Sequence, residues 1–353
     1  MSATLPTTQN ALWVVSPKGG WSIGPNVVPT PDQGEVLIRI ESCALNPVDW
    51  KYHDYDIAPP IYPNIYGSDI AGVVAAVGNG VQRVKVGDRV LYQGLTNVRQ
   101  SGFQQYTIAP EEIVAKIPSG ISFDEASSLP VAVTTATIGL YAPRSKLGGA
   151  ALTAPWEEGG AGKYADQPIL IIGGSSAVGQ AVIQFAKLSG LYPIITTVSP
   201  SNNKLVTSLG ATHTLDRNAP LSTLGESVKA ITPKPLTIIY DAISLPDTQN
   251  AAYKILADGG TLVLVLVTAV KEEDKVEGKD IVNPWGCAVT QRDFGRELYT
   301  HLGSYLENGD IKPNQVQYVP GGLASIPDAL DLLRKNQVSG KKLVRYLKAF
   351  DNR

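Results

Sequence analysis

The run Ile169-Leu-Ile-Ile-Gly-Gly-Ser-Ser-Ala-Val-Gly-Gln-Ala-Val-Ile-Gln-Phe-Ala-Lys-Leu-Ser-Gly190 constrains this chain more than any other stretch. An apolar segment of strand length ends in Gly173-Gly174, Gly179 follows, and a helix is predicted beyond it. In that helix Val178, Val182, Phe185 and Ala186 share one face, which can pack on a sheet, and Gly190 suits the C-terminal cap. A strand, a glycine turn and a helix in this order let backbone approach a pyrophosphate and aim a helix N-terminus at it. Gly174 and Gly179 stand where close approach leaves no room for a side chain. Ser176 replaces the middle glycine of the common fingerprint, and its hydroxyl can donate to phosphate. The implied ligand is a dinucleotide held by Gly174, Ser175, Ser176, Ala177, Val178 and Gly179, and the implied chemistry is redox.

The rest of the chain sets this unit in a repeating array. Strands are predicted at 193–198, 236–240 and 261–267, with helices at 203–210 and 248–256. Such alternation predicts an α/β domain with a doubly wound parallel sheet. Before residue 130 the texture differs. Residues 35–41, 70–77 and 89–92 read as short strands separated by Gly, Pro and Asp turns, which suggests a compact β-rich domain. A helix is predicted from Asp124 to Leu129; Pro130 interrupts it, and helical spacing resumes to Tyr141. Further helices are predicted at 292–307 and 326–335, and a last strand at 342–347. Residues 150–167 and the charged run 271–280 read as solvated loops, or as rims of the site. The domain limits are placed at 1–131, completed by 312–353, and at 132–311.

Composition excludes several classes. The net charge of −2 and the 18% of charged residues give no reason to expect a nucleic-acid partner. Two cysteines, Cys43 and Cys287, cannot form a disulfide framework and point to a reducing compartment. Residues 1–9 show no secretory pattern, and the longest apolar run, 262–270, falls far short of the ~20 residues a membrane span requires. The cytoplasm is the expected location.

The form of the dinucleotide is legible beyond the second strand. NAD sites place an acid about 20 residues past the glycines, on the ribose hydroxyls. No acid lies between Ile194 and Lys204. Ser199, Ser201, Asn202 and Lys204 all donate there, and Arg217 adds a cation past the third strand. A 2′-phosphate suits this set, so NADPH is the expected cofactor. The same residues also read simply as a polar helix cap, and both readings can hold. No metal is expected: His53, His213 and His301 are scattered, and no Cys-x-x-Cys pair exists.

Several motifs then carry a resemblance. Ala44-Leu-Asn-Pro-Val-Asp-Trp-Lys51, Pro63-Asn-Ile-Tyr-Gly-Ser-Asp-Ile-Ala-Gly72, Val77-Gly78, Val86-Gly-Asp-Arg-Val90, Leu129-Pro130 and Ser339-Gly-Lys-Lys-Leu-Val344 resemble zinc-free medium-chain dehydrogenase/reductases of the quinone-reductase type. Gly-Gly-Ser-Ser, the inserted segment before it and Ser-Pro after the second strand are most similar to fungal members, including trans-acting enoyl reductases. The resemblance implies a GroES-like catalytic domain beside a Rossmann domain. It implies that Asn46, Pro47, Asp49 and Lys51 line the nicotinamide end of the cofactor site. It implies that Thr135 meets the nicotinamide ribose or carboxamide, that Leu264, Val265 and Leu266 face the nicotinamide, and that Lys341 and Lys342 close over the cofactor. Where zinc-dependent relatives place Cys and His ligands, this chain has Asn46 and Ser68. Relatives often carry Tyr where Arg217 follows Asp216, so adenine stacking would here fall to a guanidinium.

The expected reaction is hydride transfer from NADPH to the β-carbon of an enone, enal or enoyl thioester, free or carrier-bound. Lys51 and Thr135 are the candidate donors to the developing enolate oxygen. Tyr52 reads more readily as a core aromatic. Quinone reduction and a non-catalytic NADPH-binding module are the alternatives. Residues 261–267 leave two readings open: a strand that pairs across a homodimer, or an interior strand.

Overall fold

The computed structural model describes residues 5–55, 61–145 and 147–346. Leu347, the last residue of the predicted final strand, lies outside them. The chain divides into two compact units. One comprises Met1–Val131, Ala288–Asn308 and Pro313–Arg353, the other Ala132–Cys287 and Gly309–Lys312.

The second unit is built on a six-stranded parallel sheet. Across the sheet run His213–Asp216, Ile194–Val198, Ile169–Ile172, Ile238–Asp241, Thr261–Leu264 and Asp280–Val282. Counted along the chain from Ile169–Ile172, this is the order 3-2-1-4-5-6, the doubly wound arrangement anticipated from the alternating pattern. Residues 169–172 are continuously apolar because both sheet faces are covered, and all four are buried. Leu170, Ile195, Ile239, Leu262, Leu224, Tyr253 and Leu256 form one core on this sheet. Thr261–Leu264 bonds to a strand on each side and is interior, as one of the two sequence readings had it. The free edge on that side belongs to Asp280–Val282, a strand too short to stand out from the charged run before it.

The predicted loop 150–167 is anchored rather than free. Trp156 packs edge-on against Tyr141, at 5.5 Å between ring centres, and against Phe185, at 6.4 Å. The backbone N–H groups of Gly162 and Tyr164 donate to the carbonyls of Leu188 and Ser189. Those carbonyls end the helix Ala177–Leu188 and would otherwise lack partners. Gly190 completes the same stop, with φ +80° and the paired bonds Gly190 N to Lys187 O and Leu191 N to Ala186 O. By contrast, residues 271–278 are exposed.

The first unit is an antiparallel β structure centred on Glu35–Ala44. That strand bonds to Asp69–Val77, to Tyr106–Pro110 and, at its C-terminal end, to Lys341–Tyr346. Because it is covered on both faces, nine of its ten residues are not exposed, and the alternation a half-buried strand would show is missing. Asp69–Val77 continues the sheet through Arg89–Gln93 to Val114–Lys116. The hairpin Thr8–Val14 with Trp21–Val27 escaped the sequence reading, since Pro25 and Gly24 break its pattern. Ser122 caps the helix Phe123–Ser127 in a reciprocal box with Glu125. Pro130 then opens a new helix, Pro130–Tyr141, instead of interrupting one. Arg292–Glu307, assigned from sequence to the dinucleotide-binding domain, packs with the first unit.

Candidate active site

Two constellations emerge, one in each unit. In the parallel-sheet unit the Gly173-Gly174 turn leaves the carboxyl end of the first strand. Gly174 N donates to Thr197 O at 3.1 Å, so the turn stands beside the end of the second strand. A Cβ on Gly174 would sit 2.1 Å from Thr196 Oγ1, and one on Gly179 would sit 2.3 Å from Gly173 O. Both glycines are therefore required by close packing of strand, turn and helix. Ser176 caps the helix Ala177–Leu188, its Oγ accepting from Gly179 N at 3.0 Å. The hydroxyl hydrogen remains available to a ligand. The backbone N–H groups of Ser175, Ala177 and Val178 donate to no acceptor among the described residues. Three unpaired donors at the positive end of a twelve-residue helix form a cradle for an anion.

The other dinucleotide residues collect at the same sheet end. Arg217 N donates to Val198 O at 3.0 Å, which sets Arg217 beside Ser199, and Asn202 N donates to Ser199 O at 2.8 Å. Ser201, Lys204 and Arg217 are exposed, and Ser199 and Asn202 half-buried. The nearby acid, Asp216, is turned onto the amides of Asn218. At the far side of the sheet Leu264 ends its strand fully buried, while Val265 and Leu266 emerge half-buried beyond it. Ser244 Oγ accepts from Val265 N, and the Asn283 amide donates to Leu266 O. Thr135 lies half-buried on the helix Pro130–Tyr141, its carbonyl accepting from Tyr240 Oη at 2.8 Å.

In the first unit Asn46 precedes the helix Pro47–Tyr55, with Pro47 at its first position. Asp49 Oδ2 reaches back to accept from Asn46 N at 2.8 Å. At the other end Asp54 takes the Arg334 guanidinium through two bonds, at 2.8 and 2.9 Å, and His53 Nε2 bonds Gly19 O at 2.7 Å. A helix held at both ends carries Lys51 between them. The Lys51 ammonium is half-buried, 5.6 Å from the Trp50 ring centre, and makes no ion pair among the described residues. Burial pushes its pKa below the ordinary lysine value. Lys51 thus offers a cation that no anion among the described residues neutralises.

A buried polar cluster stands at the start of that helix. Asp69 Oδ2 accepts from Asn46 Nδ2 and from Lys342 Nζ, each at 2.8 Å. Lys342 Nζ also donates to Asn46 Oδ1. Asp69 Oδ1 accepts from Val131 N at 2.7 Å. Lys342, expected to close over the cofactor, directs its ammonium into this cluster, whereas Lys341 is exposed. Asp69 itself was not singled out from sequence. The signal was present in an acid heading the small apolar strand Asp69–Val77, since a charge there requires a buried partner.

Two further groups of this cluster have shifted pKa values. Burial pushes the Cys43 thiol up and keeps it protonated. Asp49 is fully buried, and its Oδ1 has no partner. Desolvation pushes its pKa up to about 7, with the Asp69 charge adding and the Asn46 N–H opposing. The folded state therefore keeps a proton that the unfolded chain releases near 3.8. Stability contributed by this group is fully present below that value and is lost as pH rises toward 7. Asp49→Asn should remove the slope. Its stability relative to the parent, measured by urea melts, is expected to rise by on the order of 1–3 kcal/mol between pH 4 and 7.5. A flat difference would show that Asp49 ionises normally.

The donor set does not fit zinc. Among the described residues no three His, Cys, Asp or Glu side chains converge on a metal position. Both amide atoms of Asn46 are occupied, and the nearest cation is the Lys342 ammonium.

Comparison with known proteins agrees with this fold. Residues 32–119 match the alcohol dehydrogenase GroES-like domain, and residues 177–296 the zinc-binding dehydrogenase domain. A trans-enoyl reductase of Gibberella fujikuroi is 32% identical, covering 94% of this chain and 97% of its own. The enoyl reductase component of the lovastatin nonaketide synthase of Aspergillus terreus is 30% identical, covering 90% of this chain and 91% of its own. A mycobacterial protein solved with NADPH superimposes with a TM-score of 0.76 at 22% identity, covering 96% of this chain and 99% of that one. With the parallel sheet in 3-2-1-4-5-6 order and the antiparallel GroES-like unit both in place, the chain belongs to the medium-chain dehydrogenase/reductase family of oxidoreductases, among the trans-enoyl reductases.

Proposed function

We propose that this protein reduces a conjugated C=C bond with NADPH, delivering hydride to the β-carbon of an enone, enal or enoyl thioester without zinc. The observation that carries the reading is the trio of amide donors at Ser175, Ala177 and Val178, which have no acceptor among the described residues, in a chain whose relatives include trans-enoyl reductases. When bound, NADPH supplies the hydride and its two electrons. The glycine turn and the helix N-terminus hold the pyrophosphate. Lys204 and Arg217 recognise the 2′-phosphate, together with Ser199, Ser201 and Asn202. Lys51 donates to the enolate oxygen as charge develops there, and Thr135 orients the reacting end. The α-carbon takes its proton from water. Conjugate reduction suits a site of this kind, because the charge to be stabilised is one oxygen's, which a lysine ammonium can serve.

A relative named as the enoyl reductase component of a nonaketide synthase favours a carrier-bound thioester as the natural substrate. The cytoplasm is the proposed location; Cys43 and Cys287 are buried and form no disulfide among the described residues, and no described helix is long and apolar enough to cross a membrane.

The reading is tested by following NADPH oxidation with enones, enoyl thioesters and quinones. Turnover with the first two classes is expected. Turnover with quinones alone would make the protein a quinone reductase, and tight NADPH binding without any turnover would leave a binding module. Coenzyme choice is tested separately. Replacing Lys204 and Arg217 together by alanine is expected to weaken NADPH binding about tenfold or more and to leave NADH binding unchanged. Equal losses for both coenzymes would remove these cations from 2′-phosphate recognition.

A further inference from the structure

The geometry points to Asp69 and Lys342 as positioning residues: a buried carboxylate–ammonium hub within the first unit that sets the helix bearing the proposed catalytic Lys51. The inference rests on the reading of Lys51 given above.

Three separate parts of the chain meet at one carboxylate. Asn46, from the end of the central strand, donates to Oδ2 at 2.8 Å. Lys342, from the last described strand, donates to the same oxygen at 2.8 Å and to Asn46 Oδ1 as well. Val131 N donates to Oδ1 at 2.7 Å. Asn46 heads the helix Pro47–Tyr55, which carries Lys51. Val131 is the second residue of the helix Pro130–Tyr141. One of the otherwise unpaired N–H groups at that helix start is thus satisfied by a charge.

Burial makes the arrangement exacting. Asp69 is fully buried and Lys342 is 4% exposed, so neither charge can turn to water. Each lone pair and proton must find a fixed partner, and the partners here are the ends of the two helices. The ammonium also explains how a fold shared with zinc enzymes keeps Asn46 in one rotamer without a metal. Both amide atoms are fixed, one by the carboxylate and one by the ammonium, so the amide cannot flip. Lys342 therefore acts through Asn46 and Asp69 rather than on the cofactor.

A merely structural pair and a positioning pair respond differently to substitution. Breaking a buried pair from one side leaves an uncompensated charge, whereas removing both partners restores neutrality. Asp69→Asn, Lys342→Met and the double variant are compared in the full-length protein for melting temperature, kcat, KM, NADPH affinity and labelling of Lys51. The last is read as the pH at which acetic anhydride modifies half of Lys51, by peptide mass spectrometry. Each variant is expected to lose about 10–100-fold in kcat, the scale of a misplaced catalytic group. KM and the NADPH Kd should stay within about threefold. The double variant should recover most of the melting temperature and remain slow, with the Lys51 labelling midpoint displaced from that of the parent.

Recovery of both stability and kcat in the double variant would reduce the hub to a structural role and overturn the inference. So would a tenfold loss of NADPH affinity in Lys342→Met at unchanged kcat, which would make Lys342 a cofactor ligand. If the single variants do not fold, the double variant decides by the same criteria. If the parent reduces no conjugated substrate, the proposed function fails. The hub is then judged on Lys51 labelling alone, where an unchanged midpoint in the double variant overturns it and a displaced one supports it.

Discussion

Lys51→Ala is expected to lower kcat/KM for a conjugated enone by about 100-fold or more, while the Kd for NADPH stays within about twofold. The expectation follows from what surrounds the ammonium. It is half-buried, lies 5.6 Å from the Trp50 ring centre and has no carboxylate partner among the described residues. In the proposed reaction, a cation without a counter-ion among the described residues, on a helix fixed at both ends, would meet a developing enolate with little reorganisation. In the ground state the substrate carbonyl is neutral and gains less from that cation. The loss should therefore fall mainly on kcat rather than on KM. Lys51→Arg would keep the charge but enlarge the donor, and an intermediate rate is expected. Unchanged turnover in the alanine variant would remove Lys51 from the mechanism.

Gly179→Ala is the second large effect, and it falls on binding. The added methyl would lie 2.3 Å from Gly173 O and 2.8 Å from Gly174 Cα. Both are backbone atoms of the turn, so no side chain can give way. The turn must open, and the donors at Ser175, Ala177 and Val178 would then diverge from the proposed pyrophosphate position. Overpacking of this kind costs about 1–3 kcal/mol, and each ~1.4 kcal/mol is a tenfold change in affinity. A loss of about 10–100-fold in NADPH affinity is expected, read by titration of the coenzyme fluorescence. The parallel sheet should remain folded, because its core of Leu170, Ile195, Ile239 and Leu262 lies apart from the added atom. Wild-type affinity would show that the turn does not grip the coenzyme.

What could be read in the sequence was local. Residues 169–190 declare their strand, turn and helix because each element is specified by its own neighbours. The N-cap at Ser176, the stop at Gly190 and the apolar face between them all lie within one helix. Lys51 could be singled out as a candidate through a short motif. The hub could not, because Asn46 and Lys342 lie 296 residues apart and nothing local announces their bond. Arg292–Glu307 shows the same limit. Its buried Leu298, Leu302 and Leu306 announce that one face is packed, but not against which unit. The segment 150–167 has no periodicity, and its order comes from Trp156, lodged between Tyr141 and Phe185, and from backbone bonds to Leu188 and Ser189. Thr8–Val14 and Trp21–Val27 are strands by pairing more than by composition.

The most direct test is the destination of the transferred hydrogen. The protein is treated with chelator, supplied with NADPH carrying deuterium at the transferable C4 position, and given an α,β-unsaturated thioester or ketone. Deuterium at the β-carbon of a saturated product, at a rate the chelator leaves unchanged, is the expected result. Deuterium on the carbonyl carbon of an allylic alcohol, or activity that disappears with chelator and returns with zinc, would contradict metal-free conjugate reduction.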